Sequence, residues 1–220
     1  LRPGYLLLTD ADIRHDPNNL AALLSVAQSG NYDLTSFMVK LRCRSVAEHL
    51  LIPAFVFFFF MLYPPRWIRD RRRSTSGAAG GCILIRPEAL ARAGGIASIR
   101  SEIIDDCSLA RTVKSSGGRV WLGLTTEACS LRVYDSFAEI ERMIARTAFN
   151  QLRHSALLLG ASLLGLTLLY LLPVALVCSG SPMLLLIGIA LWLLMAIAYL
   201  PMVRFYGLPP LWAFSLPLSA

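Results

Sequence analysis

Tyr5-Leu6-Leu7-Leu8-Thr9-Asp10-Ala11-Asp12 is a short apolar run that ends on two acids. Such a run, bounded by polar residues, reads as a buried strand over 5–9. Two carboxylates at i and i+2 on a strand end can converge on one hard cation. Mg²⁺ and Mn²⁺ take oxygen ligands, commonly one or two carboxylates together with substrate phosphates. The same Asp-x-Asp spacing also serves turns and helix caps, so by itself it leaves both readings open. The strand in front favours a site, because open α/β sheets collect ligands at the carboxyl ends of their strands. Asp10 and Asp12 are therefore the candidates for holding a metal with substrate phosphates.

Working outward, Asp16-Pro17 predicts a helix start, with Asp16 as cap and Pro17 in the first position. That helix should run to about Ser29, where Gly30 ends it. Strands are expected at 33–39, 82–85, 119–122 and 128–131. Helices are expected at 87–93, closed by Gly94-Gly95, at 105–116, closed by Gly117-Gly118, and at 136–154, a long amphipathic one. Alternating strands and helices predict an α/β sheet. No internal repeat is visible.

Composition divides the 220 residues sharply. The chain is 55% hydrophobic and 16% charged, against about 25% charged in an ordinary soluble domain. Of the 35 charged residues, 21 basic and 14 acidic, all but Arg204 lie in 1–155. That excludes a uniform soluble globule, a disordered chain and a collagen-like fibre. It predicts a soluble α/β domain over 1–155 followed by a membrane region over 156–220. The chain starts at Leu1 and ends in an apolar stretch, so it is expected to be the middle piece of a longer protein.

Residues 156–178 carry no charge and exceed the roughly 20 apolar residues that a bilayer-crossing helix needs. Pro173 lies near the far end of that span, where a kink is tolerated. Ser179-Gly180-Ser181-Pro182 reads as a turn, 183–203 as a second span, and 208–220 as a partial third, interrupted by Pro209, Pro210 and Pro217. Arg142, Arg146 and Arg153 precede the first span, Arg204 follows the second, and the turn between has no basic residue. The basic side faces the cytoplasm, which predicts that 1–155 is cytoplasmic. Buried helices of a soluble protein are the alternative.

The run 50–63, with Phe57-Phe58-Phe59-Phe60, is shorter than a span and is bounded by Pro64-Pro65. Followed by Arg66, Trp67 and Arg69, it reads as an interfacial helix extending to about 68, with Trp67 and the arginines at headgroup level. A core helix of the soluble part is the alternative. The net charge of +7 suits nucleic acid, anionic lipid or phosphorylated substrates. Membrane segments favour the last two, and no nucleic-acid partner is expected. Five cysteines without a Cys-x-x-Cys pair predict free thiols, with no disulfide framework or zinc site.

Four further clusters carry chemistry. Asp105-Asp106 opens a helix, where acids both favour the positive end and supply a candidate general base. Ala78-Ala79-Gly80-Gly81-Cys82 lets backbone approach a ligand, or is simply a turn before a strand. Arg146 and Arg153, seven apart, share a helix face and suit either a diphosphate or anionic headgroups. Arg69-Asp70-Arg71-Arg72-Arg73-Ser74-Thr75-Ser76-Gly77 is a polar loop, either solvated, at headgroups, or gating a phosphate.

In this order the clusters resemble the family 2 glycosyltransferases of GT-A fold. Their pattern is Asp-x-Asp, a Gly-rich acceptor segment, an acidic pair, and Gln-x-x-Arg-Trp near membrane helices. Here the acidic pair is Asp105-Asp106, with Asp where Glu is usual. The last motif would be Asn150-x-x-Arg153-His154, which departs at Gln and Trp and favours single transfer over polymerisation. The segments 78–96, 104–107, 130–132 and 146–148 are similar, more narrowly, to bacterial hopene-associated glycosyltransferases.

The resemblance implies a partial GT-A (Rossmann-like) domain that lacks its N-terminal nucleotide-binding half, followed by transmembrane helices. It implies a metal-dependent, inverting transfer from a nucleotide-sugar donor to a lipid acceptor at the bacterial inner membrane. Asp12 and Asp10 would hold Mg²⁺ or Mn²⁺ on the donor diphosphate. Asp106 would be the base and Asp105 its orienting neighbour. Gly80 and Gly81 would face the acceptor, and Arg153 the leaving diphosphate. Two other classes compete: a membrane phosphotransferase, and a non-catalytic membrane-anchored scaffold built on a degenerate transferase domain.

Overall fold

The structure, a computed structural model, describes residues 4–99, 105–134, 136–151 and 155–219. The chain divides into two compact units, Leu1–Arg42 with Phe60–Val133, and Cys43–Phe59 with Tyr134–Ala220.

The first unit is built on a mixed, curled five-stranded sheet. Its strands are β1 (Leu6–Leu8), β2 (Ile13–His15), β3 (Leu34–Lys40), β4 (Ile83–Ile85) and β5 (Val120–Ser130). Their order is β1-β4-β3-β5-β2. Only β3 and β5 run parallel; β1–β4, β3–β4 and β2–β5 are antiparallel. Two strands expected at 119–122 and 128–131 are one continuous β5, which serves two neighbours. Its first half pairs with β3 from Leu34↔Val120 to Met38↔Leu124, and its second half pairs with β2 from Ile13↔Ser130 to His15↔Ala128. β3 continues beside that second half at Lys40↔Cys129, after a register shift between Met38 and Lys40.

Helix α1 (Asn19–Ser29) begins two residues later than expected. Asp16 and Pro17 precede it, Asn18 is the capping position, and the Asp16 carbonyl accepts the Asn19 amide at 3.0 Å. Residues 13–15, which show no pattern in the sequence, form the edge strand β2, too short to display a period of two. Gly30 closes α1 as expected, its amide donating to the Val26 carbonyl. Leu23 and Ala27 of α1 pack on Phe37, Val39, Cys82, Leu84 and Ala128, all buried. Apolar burial of this kind is worth about 25 cal/mol per Å² removed from water. Phe37 meets Trp121 edge to face at 5.6 Å.

The next helices, α2 (Val46–Leu62) and α3 (Pro65–Arg69), are longer together than the expected 50–63. A reciprocal cap starts α2 early: Glu48 Oε2 accepts the Arg44 and Ser45 amides at 2.7 and 2.8 Å, and the Glu48 amide donates to Ser45 Oγ. Val46–Arg69 is thereby long and apolar enough to cross a membrane, whereas counting from Leu50 made it too short. The remaining helices of the first unit are α4 (Pro87–Arg92) and α5 (Asp105–Ser115). Gly117, at φ +86°, takes the left-handed position that ends α5 and brings the Gly118 amide to the Val113 carbonyl at 2.9 Å.

In the second unit α6 (Phe137–Gln151) covers the described part of the expected amphipathic helix. Ala156–Val177 and Pro182–Phe205 are also long and apolar enough to cross a membrane. The first comprises α7 (Ala156–Leu166), a π-helical turn Thr167–Leu171 just before Pro173, and α8 (Leu172–Val177). The second is α9 (Pro182–Phe205). Gly188 of α9 sits directly against α8, where a Cβ would stand 2.8 Å from the Pro173 carbonyl oxygen. The expected partial third span at 208–220 is instead a 3₁₀ segment, Pro210–Ser215, followed by a short α10 (Leu216–Ser219). All five cysteines are free.

Candidate active site

Strand β1 stops at Leu8 and delivers Thr9 and Asp10 at its carboxyl end. Because β4 lies antiparallel beside it, with Leu8 opposite Ile83, the chain entering β4 passes these two residues. That entering chain is Gly80-Gly81-Cys82. Its position is fixed from below by the fully buried Ser36, whose hydroxyl donates to the Ala79 carbonyl and accepts the Ala79 amide at 2.9 Å. It is fixed from the side by Thr9, whose Oγ1 donates to the Gly81 carbonyl at 2.8 Å.

The start of α5 brings in the acidic pair. Gly80 donates its amide to Asp106 Oδ2 at 2.7 Å, and Cys107 donates its amide to Oδ1 at 2.6 Å. Asp105 Oδ1 accepts the Asp106 amide at 2.9 Å. Asp10, Asp105 and Asp106 then line one open cavity of about 230 Å³ with Thr9 and Gly80, walled by Leu8, Ile83, Ile96 and Leu109.

The electrostatics follow from burial and like charge. Burial above all, with the charge of Asp105 adding to it and the Cys107 and Gly80 amides opposing it, raises the Asp106 carboxyl from 3.8 to about 6. Asp10 is also raised, first by burial and then by the charges of Asp12 and Asp105. The Cys107 thiol, buried beside Asp106, is pushed up to about 12 and stays protonated. Three mutually repelling acids at one cavity store unfavourable charge that a cationic or proton-donating ligand would relieve.

Asp10, Gly80, Asp105 and Asp106, four of the residues singled out in the sequence, thus come together. Asp12 is close enough to act on the charge of Asp10 but does not line the cavity. It lies in the turn before β2, where its carbonyl accepts the Leu131 amide at 2.8 Å. Gly81 also serves packing, since a Cβ there would stand 2.9 Å from Val39 Cγ2. Arg153 lies outside the described residues. The loop after α3 is ordered by Lys114, whose Nζ donates to the carbonyls of Trp67, Ile68 and Thr75 at 3.1, 2.7 and 2.6 Å.

Sequence reasoning missed Thr9 and, behind it, His15. Thr9 Oγ1 lies 2.8 Å from His15 Nε2, and His15 Nδ1 lies 2.9 Å from Asn19 Nδ2. The only signal in the sequence was that Thr9 adjoins Asp10.

A divalent cation is the cofactor implied for such a site. The charged donors are carboxylates, the cavity is open, and Asp10 is raised first by burial and then by its acidic neighbours. Among the described residues no group of three or more His, Cys, Asp or Glu side chains is arranged to hold a metal ion. An ion of the Mg²⁺ or Mn²⁺ kind held there would take one or two of these carboxylates and complete its shell with water and substrate oxygens. The carboxylates do not form a closed protein cage.

A mixed α/β unit with acids gathered at a strand end and a helix start, in a chain with membrane-length apolar helices, has the form of a glycosyltransferase. The chain matches the family model of Glycosyl transferase family 21 over residues 2–219, and it belongs to that family. This supports the glycosyltransferase class drawn from the sequence, not the family 2 or hopene-associated assignment specifically. No curated protein matches the chain.

Proposed function

We propose that this chain is a membrane-bound inverting glycosyltransferase, using a GT-A-type site to move a sugar from a nucleotide-sugar donor to a lipid hydroxyl. Its place is the bacterial inner membrane, with the acidic cavity on the cytoplasmic side. The observation that carries this reading is the pairing of Asp106 and Asp10 across Gly80 in an open cavity.

Asp106 accepts the proton of the acceptor hydroxyl. The freed oxygen forms a bond to the anomeric carbon as the bond from that carbon to the diphosphate oxygen breaks. The sugar is inverted and the nucleoside diphosphate leaves. The Gly80 and Cys107 amides hold the carboxylate in one orientation throughout. Asp105 holds the Asp106 amide and so the first turn of α5. Asp10, with Asp12 behind it, would hold Mg²⁺ or Mn²⁺ on the donor diphosphate. Such an ion supplies charge neutralisation to the leaving group.

The three apolar helices support a lipid acceptor, which reaches a membrane-surface site without leaving the bilayer. The run of Ala78-Ala79-Gly80-Gly81-Cys82 and its likeness to hopene-associated enzymes favour a hopanoid-related lipid.

The test supplies the full-length protein in membranes with labelled nucleotide sugars and fractionated native lipids, with Mg²⁺, Mn²⁺ or EDTA. A labelled lipid that requires metal and is lost in Asp106→Asn is expected. Phosphate release without sugar transfer would assign a phosphotransferase instead. Full cellular function of Asp106→Asn at normal protein level would assign a scaffold.

A further inference from the structure

Behind the cavity runs a line of hydrogen bonds whose proton positions are determined by its two ends. Thr9 has one hydroxyl proton, and its contact with the Gly81 carbonyl at 2.8 Å uses it, because a carbonyl only accepts. The 2.8 Å contact between Thr9 Oγ1 and His15 Nε2 must then be donated by the ring. At the other ring nitrogen, Asn19 Nδ2 lies 2.9 Å from Nδ1, and an amide nitrogen only donates.

The Asn19 side chain is held in this orientation from both sides. It is 1% exposed. Its Nδ2 also donates to Cys82 Sγ, and its Oδ1 accepts from Thr125 Oγ1 at 3.4 Å. Thr125 Oγ1 in turn accepts the Glu127 amide at 3.1 Å. In this arrangement Nε2 of His15 carries a proton and donates to Thr9.

This line joins β5, α1, β2 and the end of β1 to the segment entering β4. Its last member, Thr9, lines the cavity and precedes Asp10, and the atom it grips belongs to Gly81, next to Gly80. We propose that His15 is a positioning residue: by donating from Nε2 to Thr9 it locks Thr9 onto the Gly81 carbonyl, and so sets the separation of Asp10 from Asp106 across Gly80. The inference rests on the reading of this cavity as the sugar-transfer site. It assigns His15 no contact with substrate.

The experiment compares His15→Leu, His15→Gln, Thr9→Val and the His15→Leu/Thr9→Val pair in the full-length membrane protein. Two readouts are used, steady-state sugar transfer and amide exchange of the 78–82 segment. His15→Leu should lower kcat about tenfold or more, with KM moved less than about threefold, since misplacement of reacting groups acts on the chemical step. His15→Gln, which keeps a donor near the Nε2 position, should restore most of that loss. Thr9→Val should match His15→Leu, and the double variant should be no worse than either single, because both act through one contact.

Exchange at 78–82 should rise in His15→Leu and return in His15→Gln. If His15→Leu fails to fold, Thr9→Val, a near-isosteric change, carries the comparison. An unchanged kcat, a Gln variant no better than Leu, or multiplied losses in the double variant would overturn the proposal while leaving sugar transfer intact. If the wild-type protein transfers no sugar, the functional reading fails. Exchange then decides alone: unaltered protection of 78–82 in both His15→Leu and Thr9→Val overturns the role of His15.

Discussion

The Gly80 amide donates to Asp106 Oδ2 at 2.7 Å, and a Cβ built on Gly80 would stand 3.5 Å from that same oxygen and 3.9 Å from Asp10 Oδ2. Gly80 therefore occupies the space between the two carboxylates, and its neighbour Gly81 does not. An alanine at 80 makes ordinary van der Waals contacts, so Gly80→Ala should change stability by less than about 1 kcal/mol, while intruding where substrate must sit and lowering transfer about 10²-fold. An alanine at 81 would meet Val39 Cγ2 at 2.9 Å, and such overpacking costs about 1–3 kcal/mol. Thermal melts and transfer rates of the two variants should thus separate. Equal destabilisation of both, or full activity of Gly80→Ala, would contradict this division of labour.

The burial of Asp106 makes two pH predictions of opposite sense. As a base it works ionised, so kcat/KM should rise with pH through about 6 and level off above. For stability, the folded carboxyl holds its proton more tightly than the unfolded one, at about 6 against 3.8. Its stabilising share is therefore complete below about pH 4 and lost as pH rises through about 6, a difference of about 3 kcal/mol. Asp106→Asn does not titrate. Measured in EDTA, the melting temperature of Asp106→Asn relative to wild type should climb between about pH 4 and pH 7. A constant difference across that range would show that Asp106 is not held above the usual carboxylate range.

Asp10 and Asp106 were legible in the sequence because each acid directly borders an apolar pattern, a strand end for one and a helix start for the other. Asp12 was legible as an acid but not in its position. Two residues apart would share a face only if the strand continued, and β1 ends at Leu8, so the chain turns before Asp12. The β2 strand escaped notice since three residues, Ile13–His15, cannot display an alternation, and Asp16-Pro17 imitates a helix start. Likewise 119–122 and 128–131 read as two strands, although one β5 runs through both, with β3 along one edge and β2 along the other. The Thr9–His15–Asn19 line depends on residues brought together by that pairing, and no spacing in the sequence announces it.

Lys114 is the side chain that organises the arginine-rich loop. Its half-buried ammonium donates to three carbonyls, of Trp67, Ile68 and Thr75, and burial lowers its pKa. Nearby, Arg73 lies 4.3 Å over the Trp67 ring and 3.6 Å from Asp70, exposed contacts worth little alone. Lys114→Met should leave three carbonyls without their donor at a cost of about 2 kcal/mol. It should also open the peptide bonds after Arg69, Arg71, Arg72 and Arg73 to trypsin. Limited proteolysis followed by mass spectrometry reads the outcome, and unchanged cleavage at these four sites would remove Lys114 from that role.

Cys178 offers a direct measure of orientation. It is exposed and ends the turn-side of α8, with Ser179, Gly180 and Ser181 between it and α9. If the basic residues that flank the helical hairpin face the cytoplasm, this turn faces the opposite side of the membrane. A membrane-impermeant maleimide should then label Cys178 in intact spheroplasts, and Cys178→Ser should abolish that labelling. The other thiols give a low background for physical reasons. Cys82 and Cys107 are buried, and both thiols are raised by burial, Cys107 to about 12, so the reactive thiolate is scarce. Cys43 and Cys129 are half-buried and precede the hairpin. Labelling of Cys178 only after permeabilisation would place the turn in the cytoplasm. It would also move the acidic cavity away from the compartment that holds nucleotide sugars, and the donor proposed for this site would have to be replaced.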